Sequence, residues 1–296
     1  MENNIIKNRY EFVMIFDVEN GNPNGDPDAG NMPRTDPETQ YGIVTDVCLK
    51  RKIRNFVEIA KDGESGYGIL VRADRALNSK FTEAYDALGL AKKQKGKNSD
   101  DVKAAQEYIC KNYYDVRTFG AVMSTGDDPC GIVRGPVQIN FARSIDPVYV
   151  QDITITRQAV TTESDFADKK KTEMGKKSFV PYGLYKAEGY VSALLAQKNA
   201  DKEKNIGFSE EDLELLWTAI INMFENDHSA ARGKMCMRKL YVFKHESALG
   251  NAPSHILFDK IKIEKKEGVV APRSYDDYVI NVDKEMPKGV ELTEKI

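Results

Sequence analysis

The basic residues of this 296-residue sequence are the side chains best placed to do chemistry, because they occur in three local groups. Clustered Lys and Arg bind anionic groups such as phosphates, although for any single residue a solvated helix face is the simpler interpretation. The formal net charge is −3, so a basic surface must be local and not global. The groups are Lys50, Arg51, Lys52 and Arg54; Lys169, Lys170, Lys171, Lys176 and Lys177; and Arg232, Lys234, Arg238 and Lys239.

A stretch rich in glycine and proline, NGNPNGDPDAGNMPRTDPET, precedes the first basic group. It is compatible with a calcium loop, a disordered linker, or a surface loop used by a binding site. An EF-hand frame can start at Asn20, but it lacks carboxylates at positions one, three and five, and position twelve is Asn31. Asn-Gly and Asp-Pro pairs build turns. A glycine-rich backbone can also approach a phosphate chain closely, with Arg34 at its edge.

Signatures of catalysis and of cofactor binding are weak. Four acidic residues, Asp17, Glu19, Asp26 and Asp28, could bind metal in a nuclease, but their turn-rich, histidine-free setting favours solvent exposure. Three dispersed histidines argue against zinc, and four dispersed cysteines indicate reduced thiols in a cytoplasmic protein. No apolar run approaches the roughly 20 residues of a membrane span, and no signal peptide begins the sequence. We therefore predict no metal, no cofactor and no membrane contact.

Hydrophobic patterning predicts an α+β fold. YEFVMIFDV (Tyr10 to Val18) is typical of a buried strand, and TDVCLKRKIRNFVEIAK of a helix whose N-cap is Thr45. GFSEEDLELLWTAIINMFEND predicts a second helix, in which Ser209 and Asp212 approximate a capping box. Further strands are predicted at YGILVRA, Tyr114 to Met123, Gly131 to Ser144, MCMRKLYVFKHE, HILFDKIKIEK and DYVINVD.

Two segments do not fit the central fold. Residues 77–112 form a helical insert, in which Lys92 to Asp101 is a charged linker between two short helices. Residues from Val150 to Pro181 resemble a long hairpin with a polar tip, which has too little apolar surface to fold by itself. Such an arm is either mobile or docked on something else. Without the inserts, the order approximates βαββαβ, the ferredoxin-like or RNA-recognition-motif plan.

Taken in order, several segments resemble the Cas-seven superfamily, specifically its Csd-two type, the backbone subunit of the type I-C CRISPR surveillance complex (Cascade). The resemblance covers nearly the whole chain, and the order and spacing of the segments make it specific. The segments are FDVENGNPNGDPDAGNMPRTD, YDVRTFGAVM, GPVQINFARSIDPV, PYGLYKAEGYVSA, NMFENDHSAARGKM and KLYVFKHESALGNAP.

The resemblance implies one domain, residues 1–296, with a modified RNA-recognition-motif (ferredoxin-like) palm, a helical finger insert and a long thumb β-hairpin. The implied palm covers about 8–72, 113–149 and 182–245, the insert about 77–112, the thumb about 150–181, and the C-terminal strands about 255–285. The implied role is non-enzymatic. Copies polymerise along the spacer of a CRISPR RNA, and each thumb reaches a neighbouring copy and displaces one base at regular intervals. The remaining bases pair with target DNA.

A guide must be held whatever its sequence, so we expect contacts to phosphate and ribose. The predicted RNA-binding residues are Arg34, Thr45, Lys50, Arg51, Arg54, Arg117, Met123, Arg134, Arg143, Arg157, Arg232, Lys234 and Arg238. Met123 and the Thr156 to Thr162 region are the candidates for the wedge that displaces a base.

The implied partners are CRISPR RNA, target DNA reached through the guide, identical subunits, and Cas-five-type and large Cas-eight-type subunits. A small subunit is a further candidate, and a helicase-nuclease is recruited to the complex. Two alternatives remain open at this stage. One is a metal-dependent ribonuclease that processes CRISPR RNA or cuts target RNA. The other is a structural protein whose oligomers do not need RNA.

Overall fold

The longest strands of the chain form the centre of one antiparallel sheet, in the order β14–β11–β1–β10–β8–β4, with β7 and β9 also pairing with β10. A computed structural model describes residues 4–90, 98–167, 172–201 and 206–296. The strands are β1 (Tyr10–Gly21), β2 (Gly25–Asp26), β3 (Met32–Pro33), β4 (Tyr41–Val44), β5 (Gly120–Met123), β6 (Gly131–Arg134), β7 (Val137–Ile139), β8 (Ala142–Pro147), β9 (Gln151–Arg157), β10 (Glu173–Val191), β11 (Lys234–His245), β12 (Ile261–Lys265), β13 (Tyr278–Val282) and β14 (Val290–Glu294). The helices are α1 (Asp46–Ala60), α2 (Leu77–Leu88), α3 (Ser99–Asn112), α4 (Tyr114–Phe119), α5 (Glu163–Ala167), α6 (Ala193–Lys198), α7 (Glu210–Asn222) and α8 (Ser254–Phe258).

Strand β1 is buried on both faces, which explains its nearly continuous apolar sequence. Phe12, Met14 and Phe16 face the main core, on the side of the sheet that carries α1 and α7. Val13 and Ile15 face a second core beneath the two-stranded ribbon β12–β13. The sheet therefore has a helix side and a ribbon side.

Both long helices of the helix side were predicted, with their caps. The Thr45 hydroxyl accepts a hydrogen bond from the Cys48 amide (3.3 Å) at the start of α1. Ser209 and Asp212 form a complete capping box at the start of α7. Trp217 packs edge-on against Phe12 with ring centroids 5.2 Å apart, so the single tryptophan belongs to the core.

The insert has a core of its own. Helices α2 and α3 pack with α4 and the β5–β6 ribbon around Phe81, Tyr85, Ile109 and Met123. The prediction of two helices between residues 77 and 112 is confirmed. Most of the predicted linker between them, residues 92–97, lies outside the described residues, and α3 already begins at Ser99.

Two predicted strands are wrong for one physical reason, the buried carboxylate of Asp115. Tyr114–Phe119 is helix α4, and only Gly120–Met123 is extended. The Asp115 carboxylate accepts hydrogen bonds from the amides of Leu70 (2.8 Å) and Val71 (3.1 Å). Those amides belong to YGILVRA, which consequently makes a single bridge, Gly68 to Tyr113, and no strand. A distant side chain has overridden the local β propensity.

The remaining differences are divisions of predicted strands. Gly131 to Ser144 contains β6, β7 and the beginning of β8, with a break at Gly135 and Pro136. Proline cannot donate to a ladder, and a Cβ at Gly135 would lie 2.3 Å from the Gly120 amide nitrogen. The segment HILFDKIKIEK begins as helix α8 before it becomes β12.

The arm is a hairpin of β9 with the first part of β10. Residues Glu173 to Phe179 of β10 pair with β9, and residues from Val180 onward pair with β1 in the main sheet. Every residue of β9 is exposed. No helix among the described residues is long and apolar enough to cross a membrane.

Candidate functional site

The glycine-rich loop touches the segment SAARGK (Ser229 to Lys234) at the end of β1. The Asn22 amide donates to the Ala231 carbonyl oxygen (2.8 Å), which joins the glycine-rich loop to the segment SAARGK. A Cβ at Gly21 would lie 1.8 Å from the Arg232 carbonyl oxygen. Gly233 has φ +65° and a similarly close approach to Asn20. Glycine is therefore required on both sides of this contact.

The glycine-rich loop also fixes the start of α1. The Asn24 side-chain oxygen accepts from both the amide and the hydroxyl of Thr45, each at 2.9 Å. The Arg34 amide donates to the Asn24 carbonyl oxygen (3.1 Å), and the Arg34 guanidinium lies 3.3 Å from Asp26. The positive end of the α1 dipole thus lies beside a guanidinium, an arrangement suited to an anion.

Asp227 connects α1 to the second loop. Its carboxylate accepts from the buried ammonium of Lys52 and lies 3.2 Å from Arg232. Arg232 also donates to the Pro23 carbonyl oxygen (3.3 Å), so its guanidinium is held from two directions. Burial lowers the pKa of Lys52 and raises the pKa of the neighbouring Cys48 thiol. The Lys52 side chain is buried and therefore supports the fold, whereas the Arg232 side chain is partly exposed at the surface.

The next turn of α1 adds two more cations. Lys50 pairs with Asp46 (2.8 Å) and lies 5.7 Å from the centroid of the Phe119 ring. Arg51 is half-buried and has no carboxylate within 4.0 Å in the part of the chain that the structure describes. Burial, followed by repulsion from Arg54, lowers the pKa of Arg51. We call the set Arg34, Thr45, Lys50, Arg51 and Arg232 the loop–helix surface.

Three of the predicted RNA contacts are corrected because the structure places them inside the protein. The Arg54 side chain is only 10% exposed and is paired with Asp115 at 2.8 Å. The Arg117 side chain is 9% exposed and makes two bonds to Asp212, at 2.8 and 2.9 Å. Met123 is fully buried in the core of the insert. The carboxylate partners of Arg54 and Arg117 are distant in sequence, so the sequence showed the two charges but not their pairing.

Three other predicted contacts lie on the ribbon side of the sheet. Arg238 pairs with Asp17 (2.8 Å) and lies over the Tyr275 ring. Lys234 lies 3.5 Å from Glu19, which alternation places on the same face as Asp17. Arg143 lines a groove beside β12. The structure therefore does not bring these residues to the loop–helix surface.

The last two predicted contacts lie on the ribbons outside the main sheet. Arg134 is exposed at the end of β6 in the insert. Arg157 is exposed at the end of β9, where it pairs with Glu173 and donates to Thr161. Of the basic group around residue 170, Lys176 and Lys177 lie on β10, whereas Lys169, Lys170 and Lys171 lie outside the described residues.

The acidic residues do not form a metal centre in the described parts of the chain, where no three His, Cys, Asp or Glu side chains come together. The side-chain amide of Asn22 donates to the Asn31 carbonyl oxygen (2.7 Å), so the EF-hand-like frame is used to close a turn. Asp17 was expected to be exposed, but it is buried and accepts from Arg238 and Tyr182. All four cysteines are free thiols.

Sequence reasoning missed the residues that hold the surface in place. Asn24 caps the Thr45 backbone, Asp227 joins Lys52 to Arg232, and Phe119 supports Lys50. Asn24 is 21 residues from Thr45 in the sequence, and Asp227 is 175 residues from Lys52. No local pattern could have identified them.

Comparison with known proteins identifies the family. The family model described as CRISPR-associated protein Cas7 matches residues 8–283. A Cas7 protein of Haloferax volcanii is 26% identical over an alignment 252 positions long, which covers 79% of this chain and 69% of that protein. A chain of a structure titled "CRISPR RNA-guided surveillance complex, pre-nicking" has the same fold, with a TM-score of 0.51, 15% identity, and coverage of 79% of this chain and 78% of that one. A chain of a second "CRISPR RNA-guided surveillance complex" has a TM-score of 0.45 at 14% identity. This chain belongs to the CRISPR-associated protein Cas7 family.

Proposed function

We propose that this protein is the repeating backbone subunit of a CRISPR surveillance complex, of the type I-C, Csd-two kind, and that it holds the guide RNA by its sugar–phosphate chain. The observation that carries the proposal is the loop–helix surface, where two interlocked glycine loops present cations around the start of α1. Membership of the Cas7 family supports it, as does the likeness in fold to a chain of a CRISPR RNA-guided surveillance complex.

The chemistry of this surface favours phosphate over bases. The α1 N-terminus attracts anions, and guanidinium groups bind phosphate oxygens. Each arginine has five donors, so Arg34 and Arg232 keep donors for a phosphate while they hold a carboxylate. Such contacts are independent of sequence, as a guide-holding protein requires.

The architecture supports a palm, finger and thumb description. Strand order β11–β1–β10–β8, with α1 and α7 on one face, is the order that a ferredoxin-like palm requires. The insert of α2, α3, α4 and β5–β6 corresponds to the fingers. The hairpin corresponds to the thumb, which docks on an identical neighbour and on RNA.

The wedge role is better suited to the thumb than to Met123. Met174 lies directly across the hairpin from Thr156 and is 79% exposed. Phe166 in α5 is 77% exposed. Both are large apolar side chains that the described residues leave mostly uncovered, as a residue that separates stacked bases would be. We propose that this part of the thumb displaces the base.

We propose that the protein is a cytoplasmic binding subunit and not an enzyme. It acts with identical copies, Cas-five-type and Cas-eight-type subunits, and a recruited helicase-nuclease, while guide bases pair with target DNA. No observation favours the ribonuclease alternative, because the described acidic residues pair with cations or close turns.

The test is a salt titration of guide binding by the double variant Lys50→Ala, Arg51→Ala. We expect weaker binding to every spacer sequence, and a log–log salt slope that is smaller by about 1.4, because each lost phosphate contact on a single strand contributes about 0.7. Lys262→Ala, an exposed lysine on the ribbon β12, is the matched control and should change neither quantity. Weakening confined to one spacer sequence, or an unchanged slope, would contradict the proposal.

A further inference from the structure

The ribbon side of the sheet has an opening that guide binding does not use. The ribbon β12–β13 covers the centre of this face, but a groove of about 400 Å³ remains beside β8 and β10. Its floor is formed by Ile145, Ile261 and Ile263. The loop–helix surface is built on the other side of the sheet, with α1, so the groove is a separate place on the molecule.

An exposed aromatic side chain lies at this groove. Phe141, immediately before β8, is 56% exposed, although the neighbouring Ala142 is fully buried. A phenylalanine open to solvent beside cations is a side chain on which a base can stack.

Two cations lie on the same face as this ring. Arg143 is two residues after Phe141, and its side chain is 61% exposed. Phe141 and Arg143 line the same groove, so one base can contact both the ring and the guanidinium. Lys186 is the cross-strand neighbour of Arg143 on β10 and lines the same groove.

Each of the two cations at the groove has a carboxylate partner, which weakens the attraction of the groove for an anion. Arg143 lies 3.3 Å from Asp36, and Lys186 lies 3.0 Å from Glu188. A nucleic acid must share these cations with the two carboxylates, so stacking, and not charge, is the main attraction. Aromatic stacking accepts every base, and sheet faces with exposed aromatics bind single strands in this way.

We propose that Phe141, Arg143 and Lys186 form a second, weaker contact for single-stranded nucleic acid, separate from the guide site. The ligand class is an unpaired strand, bound through one or two stacked bases with no sequence preference. In a complex that opens duplex DNA, a displaced strand is the available ligand of this class. This second contact uses residues that do not belong to the proposed guide contact.

The experiment measures binding of fluorescein-labelled oligo(dT) to guide-loaded protein by fluorescence anisotropy, with a guide that cannot pair with it. Guide retention is measured on the same samples, so a failure of guide binding is distinguished from a failure of this proposal. We expect Phe141→Ala to weaken oligo(dT) binding about fivefold or more, the range for loss of one stacking aromatic, and to leave guide retention and the melting temperature unchanged.

A second variant tests the charge. Glu188→Gln removes the carboxylate that competes for Lys186, so oligo(dT) binding should become tighter, whereas an apolar protein segment in the groove would gain nothing. The proposal is overturned if Phe141→Ala leaves oligo(dT) binding unchanged or weakens guide retention equally. It is also overturned if Phe141→Ala changes only the size of the assembled particle in sedimentation, because the groove is then a contact between copies.

Discussion

The loop–helix surface and the thumb hairpin both present basic residues, but the protein supports them very differently. At the loop–helix surface, Arg232 is held by Asp227 and by a backbone carbonyl, and glycine contacts lock the loops together. On the thumb, Arg157 pairs with a partly exposed Glu173, and β9 has no buried residue. The first region is organised before a ligand arrives, whereas β9 packs its side chains against little of the described part of the protomer. Preorganisation lowers the entropy cost of binding, so we assign sustained grip to the first and assembly to the second.

The largest difference should appear when an arginine–carboxylate pair is broken on α1, the helix that carries Lys50 and Arg51, and on the thumb. Asp115→Ala leaves Arg54 buried without its partner and removes the acceptor for two amides, so we expect about 3–5 kcal/mol loss of unfolding free energy. Glu173→Ala breaks the exposed Arg157 pair and should cost about 0–1 kcal/mol. Urea denaturation measures both, and similar losses would contradict the contrast.

Removal of the thumb tip should separate folding from assembly. Deletion of Ser164 to Lys177 removes most of the strand half that pairs with β9 but no pairing of β1 with β10. We expect the protomer to keep its melting transition and to lose assembly on guide RNA, measured by calorimetry and by sedimentation. Loss of the melting transition itself would mean that the thumb belongs to the core.

The smallest effect concerns a thiol under the loop–helix surface. Burial raises the pKa of Cys48, so little thiolate is present at pH 8 and alkylation by iodoacetamide is slow, rising with pH up to the folded pKa. Bound guide RNA should slow Cys48 alkylation further, because Cys48 lies against Pro23 in the glycine-rich loop. Cys236, also partly buried but on β11, is the internal control. Equal protection of both thiols would indicate that RNA lowers solvent access throughout the protein, and not at Cys48 alone.

Features of the fold that depend on local sequence could be predicted, whereas features that depend on distant partners could not. Strand β1 and helices α1 and α7 were predictable because periodicity and capping residues are local, as Ser209 and Asp212 show. Helix α4 was mistaken for a strand because its fold depends on Asp115, which bonds to residues 44 and 45 positions earlier. Arg54 and Arg117 were mistaken for surface cations for the same reason, since their carboxylates lie 61 and 95 positions away.

The glycine-rich loop was predictable in type but not in detail. Its composition indicated turns close to a binding site, and Arg34 and Thr45 do lie beside each other through Asn24. The contact with SAARGK was not predictable, because it depends on β1 and β11 pairing side by side over sequence distances of more than 200 residues. Burial of Asp17 follows from the same pairing, through Arg238 on β11.

Strand β10 has one further consequence. Its 19 residues run without interruption from the thumb, at Glu173, to the middle of the sheet, at Val191. At about 3.3 Å per residue this is a rod of roughly 60 Å. A pull on the thumb is therefore carried along one covalent backbone into the main sheet, where hydrogen bonds pass it to β1. The thumb cannot be drawn away from the main sheet without loading this backbone and the β1–β10 ladder.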